Sequence, residues 1–456
     1  MDSELKLEDI VSLAKRRGFI YQGSEVYGGL SGTWDYGPLG VQLKRNIMNL
    51  WWKMFVDERD DMYGVDAAIL MNRKVWQASG HVDTFTDPLV ECSNCNARHR
   101  ADKLDDPNKC PTCGKEGTFG EARQFNMMFE TFVGPSAVAT PIEDEKGENY
   151  TNEKTGNTLL AYDPSQVSYL RPETAQGIFT NYKNVVDSFY PDLPFGLAQQ
   201  GKAFRNEISP RDFVFRSREF EQMEIEYFVN PDNWEESFEH WISQCKEWFK
   251  ALGLPEGRVH ELEVEGDDRA HYSKRTVDFE FDYPIGREEL MGLAYRTDFD
   301  LKNIEDNSGK KMDYTIKGTN TRFIPHVIEP SFGVERALMA VLCSAYREDE
   351  QNGERRVFLA LPEHLAPIKY AVSPLLKNKP ELVEKAREVY AKLAKENPGR
   401  VMWDDNGNIG KRYRRQDEIG TPYCVVIDFQ TLEDGTVTVR NRDTTEQNRI
   451  NSAEIE

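Results

Sequence analysis

Leu39, Leu43, Ile47, Leu50, Trp51 and Met54 recur at the spacing of one helix face, which predicts a long helix with an apolar stripe. Upstream, Leu5, Ile10, Val11, Leu13 and Ala14 predict a shorter amphipathic helix over residues 4–17. A third helix is marked by Trp234, Phe238, Trp241, Ile242, Cys245, Trp248, Phe249 and Leu252. The period then changes to two: Val277, Phe279, Phe281 and Tyr283 alternate with Asp278, Glu280 and Asp282, as in a half-buried strand, and residues 288–292 and 295–298 continue its sheet. Pro330 is expected to interrupt a strand and Ser331 to cap a helix whose buried face is Val334, Leu338, Val341, Leu342 and Ala345. The charged stretch 347–356 and the proline-bounded segment 362–367 mark a boundary between a larger unit, 1–360, and a second one, 361–456. In the second, strands at 369–375, 401, 423–427 and 436–440 alternate with helices at 381–395 and 409–419, predicting a small α/β domain.

Residues 203–229 are organised differently. If Ala203–Ile208 is a strand, Arg205 and Glu207 share a face, and Ser209–Asp212 supplies a turn. On the returning strand Arg216, Arg218, Phe220, Gln222, Glu224 and Glu226 share one face, while Met223, Ile225, Tyr227 and Val229 form the core face. Cations, then an aromatic, then carboxylates suit a phosphate, a base and an ammonium group in turn. A solvated strand face has the same alternation.

At 456 residues, two or three domains are expected. The net charge of −21 speaks against indiscriminate coating of nucleic acid but not against a local basic patch. The densest such patch is Lys411, Arg412, Tyr413, Arg414 and Arg415, where the aromatic can stack on a base; a merely solvated helix face reads the same way. No apolar run approaches the ~20 residues of a membrane span, and a cytosolic location is expected. Seven cysteines argue for thiols or metal ligation over a disulfide framework. Cys92, Cys95, Cys110 and Cys113 form C-x2-C-x14-C-x2-C, the spacing of a closed, structural Zn²⁺ ribbon. The glycine-rich segment 28–40 lacks the P-loop pattern and reads as a tight loop, and residues 143–157 read as an exposed polar insertion, so 88–165 forms a zinc-ribbon-like and polar insert.

The segment Phe204-Arg205-Asn206-Glu207, a short loop, then Arg216-Ser217-Arg218-Glu219-Phe220 resembles motif 2 of class II aminoacyl-tRNA synthetases. The helix around 39–54 is similar to motif 1, and Glu329-Pro330-Ser331-Phe332-Gly333-Val334-Glu335-Arg336 to motif 3. With Leu170-Arg171-Pro172-Glu173-Thr174-Ala175-Gln176-Gly177, the resemblance is nearest to the dimeric glycyl-tRNA synthetases and covers nearly the whole chain. It implies an α/β (α+β) class II fold: an antiparallel sheet flanked by helices, with a C-terminal anticodon-binding domain. It also implies a homodimer, and activation of glycine with ATP and Mg²⁺ before transfer to tRNA(Gly).

By that resemblance Arg205 grips the α-phosphate, Glu207 and Arg216 orient the nucleotide, Phe220 stacks on adenine and Arg336 holds the far end of ATP. Asn206, Phe215, Ser217, Arg218, Glu219, Glu289, Leu290, Gly333, Val334 and Glu335 complete the expected nucleotide site. Glu173, Glu224 and Glu329 are expected around the substrate ammonium, with Ser331 beside them and Arg296 near the carboxylate. Arg100, Phe220, Glu221, Gln222, Met223, Pro330, Phe332 and Gly333 border the same site. Glycine has no side chain to bind, so affinity must come from its charged ends, and mutual repulsion of three clustered carboxylates is expected to raise the pKa of one of them in the empty site. A non-catalytic paralogue, or a synthetase for serine, threonine or proline, is the competing reading. The intact arginines disfavour the first and the three glutamates the second.

Overall fold

In the computed structural model, which describes residues 5–133, 140–141, 160–161, 166–266, 269–270, 272–351 and 353–455, the alternating segments build one seven-stranded sheet. Its order is β7 (Val259–Val264), β8 (Arg275–Tyr283), β9 (Gly286–Thr297), β10 (His326–Gly333), β6 (Glu219–Val229), β5 (Phe195–Phe204) and β1 (Met62–Gly64). All neighbours are antiparallel except β5 and β1. The expected insertion at 143–157 lies outside the described residues.

One face of the sheet meets the large core. Met223, Ile225, Tyr227 and Val229 pack there with Val277, Phe279, Phe281 and Tyr283, as alternation requires. Helices α2 (Pro38–Trp52), α4 (Trp234–Ala251) and α6 (Val334–Ala345) cover this face through Trp51, Trp241, Trp248 and Leu338. Every residue of α6 is buried except Arg336. The opposite face is covered at one end by α3 (Ala175–Phe189), whose Ile178, Phe179 and Tyr182 pack on Phe195, Leu197 and Phe228. Its other end, bearing Gln222, Glu224, Glu289, Glu329 and Ser331, lines open cavities.

A three-stranded sheet, β3 (Arg98–Arg100), β2 (Thr86–Glu91) and β4 (Arg123–Asn126), stands over that open end. Asn206 donates its N–H to the Met127 carbonyl at 2.8 Å, and Ser209 donates its hydroxyl to the Arg98 carbonyl at 3.0 Å. The C-terminal unit is a five-stranded sheet, in the order β14 (Val401–Trp403), β13 (Tyr370–Pro374), β15 (Tyr423–Ile427), β16 (Thr436–Asn441) and β17 (Gln447–Asn451). Helix α7 (Pro380–Glu396) packs on it through Leu382, Ala386, Val389 and Leu393, and α8 (Ile409–Ile419) carries the basic cluster.

Three local expectations are corrected. The chain does not reverse at Ser209–Asp212; the connection runs from Arg205 to Arg218 because Phe213, Val214 and Phe215 must be buried, Phe213 against Trp34 and Phe215 against Tyr283. Arg216 and Arg218 therefore precede β6. Pro330 and Ser331 stay within β10, and Gly333 is the residue before α6. Pairs between β6 and β10 are missing between Glu224–Ser331 and Tyr227–Ile328, a gap that accommodates a proline without an N–H. The charged stretch 347–356 is itself structured: β11 (Tyr346–Gln351) and β12 (Glu354–Leu359) make a hairpin, and its Arg356, wholly buried, reaches Asp417 of the C-terminal unit at 3.2 Å.

Candidate active site

Two adjoining cavities open on the polar end of the sheet. The first, about 310 Å³, is lined by Arg205, Glu207, Arg216, Phe220, Glu289 and Arg336. Arg205, at the end of β5, lies between the rings of Phe85 and Phe220, at 5.6 and 5.2 Å, and donates Nε to the Pro172 carbonyl at 3.1 Å. Arg336, in the first turns of α6, sits 4.7 Å over the Phe215 ring and pairs with Glu289 at 2.9 Å. That guanidinium, against an opposing contribution from burial, holds the Glu289 carboxyl below its usual range. Glu207 and Arg216 are 3.8 Å apart. Arg100 reaches the same wall from β3, its Nη1 2.7 Å from Asp87. Phe215, Ser217, Leu290, Gly333 and Glu335 also line this space.

The second cavity, about 270 Å³, contains Glu173, Glu224, Glu329, Ser331, Asp278 and Tyr272. Glu224 is 2 % exposed and accepts from the Thr174 N–H at 2.9 Å, from the Thr174 hydroxyl, from Ser331 Oγ at 2.7 Å and from Gln222 Nε2 at 2.9 Å. Burial and the Glu173 charge push its carboxyl up. Burial drives Glu329 to about 8, with Glu224 and Glu173 adding to the rise and Arg296 opposing it. Glu173 is held at about 2: burial opposes, but His81, 3.4 Å away, and the arginines outweigh it. Burial and the neighbouring Glu289 raise Asp278 to about 7.

Several expected members are not brought together. Arg296 does not line either cavity: it is 2 % exposed and gives Nη1 to Glu329 at 2.8 Å and Nε and Nη2 to Asp300 at 2.8 and 2.9 Å. Buried and turned toward these two carboxylates, it supports Glu329 from behind. Arg218 donates to the backbone carbonyls of Glu207 and Ser31, bracing the loop. Met223 and Phe332 point into the core, because alternation puts them on the other face, and Val334 and Pro330 are buried. Glu221 pairs with Lys44 of α2 at 2.8 Å, Glu219 pairs with Lys202 at 2.9 Å, and Asn206 contributes its backbone N–H to Met127.

Residues not anticipated are His81, Thr174 as a ligand of Glu224, Tyr272 and Asp278. The alternation around Val277 already put Asp278 on the face away from the core; nothing local distinguished His81.

Away from this centre, the sulfurs of Cys92 and Cys113, and of Cys95 and Cys110, are 3.7 Å apart, and all four lie within 4.8 Å of one another. A tetrahedral Zn²⁺ with ~2.3 Å bonds to sulfur spaces its ligands by about 3.8 Å, so the donor set fits that ion. On α8, Lys411, Tyr413, Arg414 and Arg415 line a surface cleft of about 840 Å³ shared with Arg17 and Arg440. Arg412 is a correction: it is 3 % exposed and donates to the carbonyls of Pro374, Asp405 and Gly407, which leaves it no face for a nucleic acid.

Residues 160–345 match the family described as tRNA synthetase class II core domain (G, H, P, S and T), and residues 369–456 match the anticodon binding domain. Glycine–tRNA ligase of Thermobifida fusca is 47% identical over 473 residues, spanning 99% of this chain and 96% of its own. That of Clostridium acetobutylicum is 45% identical over 485 residues, spanning 100% and 98%. Among solved structures, Giardia lamblia prolyl-tRNA synthetase in complex with prolyl-adenylate superposes with a TM-score of 0.67 at 15% identity, over 98% of this chain and 75% of that one. No described helix is long and apolar enough to cross a membrane. With near-complete coverage at this identity, the chain belongs to the glycine–tRNA ligase family of class II aminoacyl-tRNA synthetases.

Proposed function

We propose that the protein joins glycine to ATP as glycyl-adenylate and then transfers glycyl to the 3′ end of tRNA(Gly). The observation that carries this reading is the adjacency of the two cavities: an arginine-and-aromatic cleft opens into a small chamber walled by Glu173, Glu224 and Glu329. The first suits a nucleoside triphosphate. The second, walled by three carboxylates, suits an ammonium group.

In the first step a glycine carboxylate oxygen attacks the α-phosphorus and the bond to pyrophosphate breaks. No protein nucleophile is required; alignment and charge neutralisation suffice. Arg205 is assigned to the α-phosphate, Phe220 to the adenine, Arg216 and Arg336 to the remaining phosphates, and Glu207 to holding Arg216. Mg²⁺ enters with ATP as part of the substrate; Asp278 and Glu289 are the carboxylates available to it, and its charge would draw the raised Asp278 into its ionised form. Glu224, fixed by four donors, is assigned to the ammonium together with Glu173 and Glu329. In the second step a terminal ribose hydroxyl of the tRNA attacks the glycyl carbonyl and AMP leaves.

The four cysteines would hold a structural Zn²⁺, Lys411 with Tyr413 would meet the tRNA, and the working form is a cytoplasmic homodimer joined through the α2 region. Glycine-dependent ATP–pyrophosphate exchange, run against a panel of amino acids with Arg205→Ala as control, tests the central claim. Exchange with glycine alone, lost in the control, is expected. Exchange only with serine, threonine or proline would overturn it.

A further inference from the structure

Beneath the chamber lies a carboxyl group to which the reaction above assigns no part. Glu226 follows Glu224 by two residues on the same face of β6 and is level with Glu329 on β10, between the pairs Glu224–Ser331 and Tyr227–Ile328. It is 0 % exposed, and neither of its oxygens has a hydrogen-bond partner among the described residues. An ionised carboxylate without a donor is the costliest group a protein can bury, so this one carries a proton.

The surroundings lead to the same conclusion. Glu173 comes from the approach to α3, Glu224 from β6, Glu329 from β10, and Asp300 from α5 (Phe299–Ser308). Facing them are Arg296 from β9 and, at the rim, Arg205. Five carboxyl groups, Glu226 included, thus meet two guanidiniums. Glu173, Glu224 and Asp300 each accept hydrogen bonds, and Oε1 of Glu329 accepts from Arg296. Glu226 alone accepts no hydrogen bond, and burial raises its carboxyl well above the usual range, with Glu329 adding to the rise and the Arg296 charge opposing it.

We propose that Glu226 is a positioning residue of the glycine site: it holds a proton against Glu329 in the empty chamber and releases it to solvent when the substrate's ammonium enters. The O–H bond of Glu226 breaks, the electron pair stays on its carboxylate, and the proton leaves to bulk water. One positive charge replaces another, so the chamber's net charge is unchanged. This rests on the reading of the chamber as the ammonium site.

The test is calorimetric binding of a non-hydrolysable glycyl-sulfamoyl adenosine to the full chain, in buffers of different ionisation enthalpy and across pH. The deaminated acetyl analogue is the control. Wild type is expected to release up to about one proton with the glycyl analogue and none with the acetyl one, its affinity gaining as much as ~10-fold per pH unit. Glu226→Gln is expected to lose at least half of that release and flatten the pH dependence. In Glu329→Gln, which removes the other strongly raised carboxyl of the pair, the infrared difference spectrum should still show a protonated-carboxyl carbonyl band lost on adding the glycyl analogue; this assigns the band to Glu226 if Glu226→Gln does not fold, and its absence there overturns the inference. Binding without proton release, or unchanged release in Glu226→Gln, overturns the inference while leaving the function standing. No preference for the glycyl over the acetyl analogue would overturn the chamber's assignment and the inference with it.

Discussion

Arg296 meets Glu329 across 2.8 Å, and both side chains are almost wholly removed from solvent. The guanidinium acts on the chamber through that glutamate, through Asp300 and through the Tyr272 ring, whose centroid is 3.9 Å away. Replacing Arg296 with Lys keeps the charge and loses the planar fork. The KM for glycine is expected to rise by roughly 10- to 100-fold, as for other residues that orient a binding group, with the KM for ATP changed far less. Arg296→Leu, which strands two buried carboxylates, should instead destabilise the fold by about 3–5 kcal/mol, read by urea unfolding. Equal effects of Arg296→Lys on both KM values would refute the support role.

Glu329 gives the empty enzyme a pH signature. Its carboxyl rises from the model-compound 4.5 to about 8 on folding, so the folded state binds the extra proton between those values. Its contribution to stability is full below about 4.5 and is lost as pH climbs through about 8. Asp278, raised from 3.8 to about 7, acts in the same direction. Glu329→Gln cannot ionise, so its thermal midpoint relative to wild type is expected to rise steadily from pH ~5 to ~8. A difference independent of pH would count against the raised carboxyl.

The frame of the site was legible because alternation is a one-dimensional signal. Period two separated Met223 and Ile225 from Gln222 and Glu224, and motif order brought Arg205, Phe220 and Arg336 to one cleft. What stayed hidden depended on partners far along the chain. Arg296 and Arg412 look like available cations until Asp300, Glu329 and the Pro374 carbonyl are seen against them. Thr174 stands in the 170–177 motif just before α3, and the partner of its hydroxyl is Glu224, which lies 50 residues on. The loop after Arg205 read as a short turn because the need to bury Phe213 and Phe215 is a property of the core.

Metal removal should affect chemistry before stability. The cysteine cluster sits at the ends of β2 and β3, and β3 presents Arg100 to the cleft and binds Ser209. Wild type is expected to carry about one zinc per chain by elemental analysis. Cys92→Ser with Cys113→Ser should lose it, speed hydrogen exchange over 98–100, and lower pyrophosphate exchange roughly 10-fold or more with a small change in core unfolding. A metal-free variant with full activity would detach the ribbon from the site.

The basic helix α8 divides into exposed and structural cations. Lys411→Ala is expected to reduce the salt dependence of tRNA binding by about one unit of slope. Arg412→Ala should leave that slope alone and lower the unfolding midpoint instead, having orphaned three carbonyls. The reverse pattern in a filter-binding titration would place Arg412 at the surface.

Helix α6 is the one element of the site with no independent existence. Eleven of its twelve residues are buried and the twelfth is Arg336, so it has no solvent-facing side on which to survive as a free helix. Its arginine has a fixed address only while the surrounding core is intact. Loss of Arg336 from the cleft and loss of the surrounding core are therefore expected to come together, as one unfolding transition.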